Sequence, residues 1–146
     1  MCSISGFIIT DPTANRQQIA TIYQEILARG AERGKDSAGI LTMNEQGVVK
    51  RHVEIAPQEY DFVQSVISDD CQLLIANNRA EPTTEYVKEK QATDAQPFGN
   101  GTIYISHNGT IANDHELRER FNIPTETRID SAVCPEVIYR RGSLGA

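Results

Sequence analysis

The sequence predicts an α+β domain in which helices pack on antiparallel sheet. Two β-prone runs joined by Asn44-Glu45-Gln46-Gly47 read as a hairpin, because Gly47 can supply a positive φ angle. From Arg16 to Arg29, Ile19, Ile22, Tyr23, Ile26 and Leu27 recur at helical spacing. Neither an internal repeat nor a low-complexity linker interrupts the 146 residues, a length suited to one domain with a core of its own.

The elements follow in order. Ser3 to Thr10 is a strand that ends at Asp11-Pro12, which builds the N-terminus into the fold. The Arg16 to Arg29 helix closes at Gly30, a C-terminal glycine. The hairpin strands run around Ala38 to Met43 and Val48 to Val53, and a second helix is expected from Pro57 to Ile67. Leu73 to Ala76 is a short apolar strand, Glu81 to Gly101 is polar and loop-like, and Thr102 to Ser106 is another strand. Helices near Asp114 to Phe121 and Ser131 to Arg140 complete the chain.

Composition excludes several functions. Fourteen basic against 20 acidic residues give a formal charge of -6 with no Lys/Arg cluster, so a nucleic-acid backbone would meet net repulsion. Cys2, Cys71 and Cys134 stand at unrelated spacings that suit neither a disulfide framework nor a metal site, and imply a reducing compartment. His52, His107 and His115 lack metal-ligand spacing, so no metal is assigned. Met1 to Thr10 shows no basic leader, and no apolar stretch approaches the roughly 18 residues of a spanning helix. A cytoplasmic protein that uses no membrane is expected. Asn100-Gly101-Thr102 and Asn108-Gly109-Thr110 match the glycosylation sequon by letter only.

Cys2 is the first candidate for chemistry. A lone cysteine is ordinarily a small packing residue, but removal of Met1 would give this one a free α-amino group with a pKa near 8. One residue then carries both a thiol nucleophile and a nearby base. Such chemistry also needs donors for a developing oxyanion. His107-Asn108-Gly109-Thr110 follows a predicted strand, where an Asn side chain and a Gly N–H can point at one site. Asn-Gly is equally a signal for a type I′ turn. Taken alone, Arg79 reads as a solvated arginine and Asp130 as a helix N-cap, and Cys71 and Cys134 read as packing or surface thiols.

Six blocks together resemble the class II glutamine amidotransferases, whose nucleophile is an N-terminal cysteine. Met1-Cys2-Ser3-Ile4-Ser5-Gly6 is similar to their Cys-Gly-Ile-x-Gly start, with Ser3 in place of the usual Gly. Arg33-Gly34-Lys35-Asp36-Ser37-Ala38-Gly39 is similar to Arg-Gly-x-Asp-Ser-Ala-Gly, and Asn78-Arg79 to a His/Asn-x-Arg segment. Asp94-Ala95-Gln96-Pro97-Phe98 is similar to the Asn-Ala-Gln-Pro-Phe of purine-pathway members. His107 to Asn113 resembles His-Asn-Gly-x-Ile-x-Asn, and Asp130-Ser131-Ala132-Val133 resembles Asp-Thr-Glu-Val. The blocks occur in family order and span almost the whole chain.

The resemblance implies an N-terminal-nucleophile hydrolase fold, a four-layer αββα sandwich with antiparallel sheets, here short of full family length. It implies hydrolysis of the glutamine side-chain amide to glutamate and ammonia through a Cys2 thioester. Asn108 and the Gly109 N–H would hold the oxyanion, Arg79 the α-carboxylate and Asp130 the α-ammonium. Thr83 would be a further substrate contact, in the stretch Ala80-Glu81-Pro82-Thr83-Thr84 that departs from the family pattern after Arg79. An alternative alignment puts Cys134 at the acidic position, and Asp130 is preferred because a carboxylate can pair with an ammonium. The Arg33 to Gly39 block either orders the backbone around Cys2 or makes a turn. No cofactor is implied, and the ammonia would pass to a separate synthetase or acceptor subunit. Two rival readings are a catalytically inactive binding or regulatory module and an acylase for another amide.

Overall fold

The computed structural model describes residues 1–80, 91–124 and 126–142. A four-stranded antiparallel sheet in the order β1-β4-β2-β3 is built from β1 (Ser3–Ile8), β2 (Ser37–Asn44), β3 (Val49–Ile55) and β4 (Cys71–Arg79). Helices α1 (Arg16–Gly30) and α2 (Val63–Val66) cover one face. The remaining elements are a two-stranded sheet of β5 (Phe98–Gly99) and β6 (Tyr104–Ile105), then α3 (Asp114–Phe121) and α4 (Cys134–Arg141). The mixed α and β architecture with antiparallel pairing matches the sequence expectation.

The first core lies between α1, α2 and the sheet. Leu27, Val63, Ile40 and Leu74 are fully buried there, each contributing about 1.5–3 kcal/mol by leaving water. Asn15 caps α1 by accepting from Gln18 N at 3.0 Å. Only part of the expected apolar stripe of α1 faces this core. Ala20, Tyr23 and Leu27 are buried, whereas Ile22 and Ile26 are 56% and 47% exposed. They stand beside β1, an edge strand among the described residues, and line a groove of about 370 Å³ with Ile8 and Phe7. A second core gathers Val133, Cys134 and Val137 with Ile105, Ile111, Leu117 and Phe121.

Several expected boundaries move. Gly30 belongs to α1 itself, and the cap is Ala31 in right-handed conformation. A Cβ at Gly30 would meet Asn78 Nδ2 at 2.6 Å, so close packing under β4 is the reason for glycine there. The helix expected from Pro57 to Ile67 is regular only over Val63–Val66, since the preceding segment holds Tyr60 and Phe62 against the core through turns. β4 extends well beyond Leu73 to Ala76 because it is the central strand paired with both β1 and β2, which carries polar Asn77, Asn78 and Arg79 into the ladder. The Thr102 to Ser106 strand shrinks to two residues, paired with Phe98–Gly99 across a turn where Gly101 has φ +91°. The last helix begins with a 3₁₀ turn at Asp130–Val133 before α4.

Candidate active site

Side-chain alternation along β4 sorts the site. Leu74 and Ala76 enter the first core, and Asn78 donates from Nδ2 to Leu27 O at 2.6 Å. Asn77 and Arg79 therefore face the opposite side, where Asn77 meets Gln96 and Ser106. In β1, Ser3 pairs with Asn78 and its Oγ lies near Gly30, so Cys2 projects on the Arg79 side. Cys2 Sγ lies 4.0 Å from Ala80 O and is part-buried. Arg79 is buried, at 5% exposure. A guanidinium and the thiol thus share one end of one sheet face.

Asn108 closes the arrangement. Its Oδ1 accepts from Cys2 N at 3.2 Å. The donor is a backbone or amino N–H, which fixes the oxygen of the amide toward Cys2 and leaves Nδ2 free to donate elsewhere. Gly109 sits against the His107 ring, where a Cβ would come within 2.8 Å of Nε2. Neither Asn108 nor Gly109 has a positive φ, so the type I′ turn is not formed. The loop is held instead by side chains.

That support was not read from the sequence. His107 N donates to Gln96 Oε1 at 2.6 Å, and His107 Nδ1 and Ser131 Oγ are 2.8 Å apart. Asp130 Oδ2 accepts from Ile111 N at 2.5 Å, while Oδ1 accepts from Ser131 N and Ser131 Oγ. Asp130 is thus brought to the far end of the His107–Ile111 loop, with both oxygens already engaged by the protein. It also lies beside Cys134, whose thiol is pushed up by burial and further by the Asp130 charge. Burial likewise pushes up the Cys71 thiol, against the pull of Arg16. Both are packing thiols, as expected.

Glycine explains the Arg33 to Gly39 block. A Cβ at Gly34 would lie 2.5 Å from Asn78 O, and one at Gly39 would lie 1.6 Å from Gln96 O. Asp36 N also donates to Arg79 O at 2.9 Å. Gly34 makes a turn to Ala31 O as well, so the block both turns and carries backbone up against the strand that bears Arg79. Thr83 lies outside the described residues. Among the described residues no cluster of His, Cys, Asp or Glu could hold a metal, and no helix is long and apolar enough to cross a membrane. The groove beside β1, and a second hollow of about 520 Å³ lined by Arg51, Tyr104 and Arg140, include none of Cys2, Arg79 or Asn108.

No protein-family model matches the chain. It is 39% identical over 137 residues to a 7-cyano-7-deazaguanine synthase of Saccharolobus solfataricus, a match covering 92% of this chain and 29% of that protein. A synthase of the same name from Sulfolobus acidocaldarius is 39% identical over 142 residues, covering 96% of this chain and 30% of the relative. More distantly, it is 29% identical over 119 residues to a glutamine–fructose-6-phosphate aminotransferase of Haemophilus influenzae, covering 82% of this chain and 18% of that protein. The chain therefore spans under a third of the length of these relatives, and its likeness to the glutamine–fructose-6-phosphate aminotransferase is distant.

Proposed function

We propose that this chain is a glutamine-hydrolysing domain that releases ammonia for a separate synthase active site. The observation that carries the reading is the contact between Cys2 N and Asn108 Oδ1 at the strand end shared with buried Arg79. It supports the reading because the Asn108 amide meets the residue that carries both the thiol and, once Met1 is removed, an amine.

With Met1 removed, the neutral Cys2 amine donates one hydrogen to Asn108 Oδ1 and keeps its lone pair. The lone pair takes the thiol proton as Sγ attacks the glutamine amide carbon. Asn108 Nδ2 and the Gly109 N–H stabilise the oxyanion, at roughly 3 kcal/mol per donor. The ammonium returns its proton to the leaving nitrogen, and ammonia departs. Water, deprotonated by the same amine, then cleaves the thioester to glutamate and restores the thiol. Arg79 pairs with the α-carboxylate and Asp130 receives the α-ammonium, so a free amino acid is selected over a peptide glutamine.

The names of the relatives support this reading. The aminotransferase's name couples glutamine with the transfer of an amino group, and a cyano group contains a nitrogen that some donor has to supply. Ammonia made here would serve a synthase of the second kind. The antiparallel sheets further support assigning the chain to the four-layer αββα arrangement of N-terminal-nucleophile hydrolases.

Glutamate release by Met1-free protein tests the proposal. The expected outcome is turnover that disappears in Cys2→Ala. Turnover that survives the substitution rejects the mechanism, and glutamine binding without turnover in the unsubstituted protein means an inactive binding module.

A further inference from the structure

The Asn108–Gly109 donors stand on a loop that no ladder holds, yet their geometry has to be kept within a fraction of an ångström. Gln96 connects that loop to the sheet. The residue is 3% exposed, and its Oε1 accepts from His107 N at 2.6 Å and from Asn77 Nδ2 at 3.4 Å. The His107 N–H can only donate, so the atom facing it has to be the amide oxygen. Asn77 has to present its own Nδ2 in turn, which also donates to Ser106 Oγ at 2.9 Å. That orientation leaves Asn77 Oδ1 as the only buried side-chain oxygen or nitrogen without a partner among the described residues. An unsatisfied buried acceptor costs about 1–3 kcal/mol, and the chain carries that cost to keep the oxygen of Gln96 toward His107.

The backbone beside Gln96 is held from two further strands. Arg51 of β3 donates to Ala92 O, Ala95 O and Pro97 O, at 3.0, 2.5 and 3.0 Å. Gly39 of β2 lies directly under Gln96 O, where any Cβ would collide. β4 thus holds the Gln96 side chain, β3 holds the backbone on either side of it and β2 packs against its carbonyl, while Gln96 in turn holds the amide next to Asn108.

We propose that Gln96 is a positioning residue for the oxyanion donors, tying the His107–Ile111 loop to the sheet that carries Cys2 and Arg79. The kinetic part of this inference rests on the glutaminase reading above. Gln96 touches neither the thiol nor the proposed substrate, so its loss affects the transition state more than glutamine binding.

The test compares Met1-free wild type with Gln96→Met, which keeps the shape and removes the acceptor, and Gln96→Glu, which restores an acceptor oxygen. Gln96→Met is expected to lower kcat for glutamate release by about 100-fold, the scale of a misplacement near 1 Å, with KM for glutamine within about threefold of wild type. Alkylation of Cys2 by iodoacetamide, which needs no oxyanion donor, should keep its wild-type rate. Amide exchange at His107 should accelerate by at least about tenfold in Gln96→Met, and Gln96→Glu should restore both protection and most of kcat. Unchanged His107 exchange in Gln96→Met overturns the proposal, as does an equal loss of kcat in both variants. If wild type releases no glutamate, the glutaminase reading fails by itself and His107 exchange still decides whether Gln96 holds the loop.

Discussion

Cys2 and Arg79 stand at the ends of neighbouring strands of the four-stranded sheet, whereas Asn108 and Gly109 stand between the two-residue strand β6 and α3, outside any ladder among the described residues. On the sheet side, Ser3 pairs with Asn78 and Ser37 with Arg79, so backbone hydrogen bonds set the position of the thiol and the guanidinium. On the loop side, Gln96, Ser131 and Asp130 make the corresponding bonds with side chains. A ladder tolerates the loss of one side chain because its partners are main-chain groups. A loop held by three side chains does not. Substitutions that spare the fold should therefore harm catalysis more on the loop side, and substitutions that harm stability should fall on the sheet side.

Asn108→Ala should have the largest effect. It removes an exposed side chain, so the melting temperature should stay near wild type, while on the proposed glutaminase reading kcat for glutamate release falls by about 10²–10³-fold. A full stability loss with unchanged kcat in the remaining folded fraction would erase the contrast. Asn78→Ala is the opposite case. It strips Leu27 O of its 2.6 Å donor and Tyr60 of its acceptor inside the core, and should cost about 1–3 kcal/mol in urea unfolding with little change in KM.

Tyr23→Phe sharpens the sheet side further. Burial pushes the Tyr23 phenol up to about 12, against a smaller opposing effect of its hydrogen bond with Ser5. A folded-state pKa above the unfolded value of about 10 means stability is fully present below about pH 10 and falls as pH rises towards the folded pKa. The slope is about 1.4 kcal/mol per pH unit in that window. Tyr60 is shifted in the same direction by burial. Tyr23→Phe should cost about 1 kcal/mol at neutral pH and make the alkaline loss shallower, as urea midpoints measured from pH 8 to 11 would show. The smallest effect concerns the other thiols. Peptide mapping after brief alkylation at pH 7 should find label on Cys2 with little on Cys71 or Cys134, and equal labelling of all three would mean the two cores open readily.

The sheet side was the more legible of the two. Local alternation and a turn glycine suffice to predict β2 and β3, because each depends on neighbours in sequence. β4 was read as four apolar residues and is much longer, since its polar end is ordered by strands that lie far away in the chain. The outward turn of Ile22 and Ile26 escaped for a related reason: helical spacing identifies an apolar stripe but not its width against a particular sheet. On the loop side the motif residues were recognised, but Asn108–Gly109 looked like a turn, and the role of Gln96 depends on a hydrogen bond to His107 that no spacing rule encodes. Asp130 was assigned to the substrate, and its contacts to Ile111 N and Ser131 add a part in holding the loop.

By itself, the sequence determined the chemical groups and the local elements: a thiol at position 2, an amide and a glycine at 108 and 109, an arginine at 79, and strands and helices set by short-range periodicity. The tertiary structure alone decided that Cys2 N meets Asn108 Oδ1 across 106 positions of chain, and that Gln96 lies between His107 of the loop and Asn77 of β4. Such contacts depend on which elements become neighbours in space, a choice made by burial over the whole domain, and periodicity records only which face of each element turns inward.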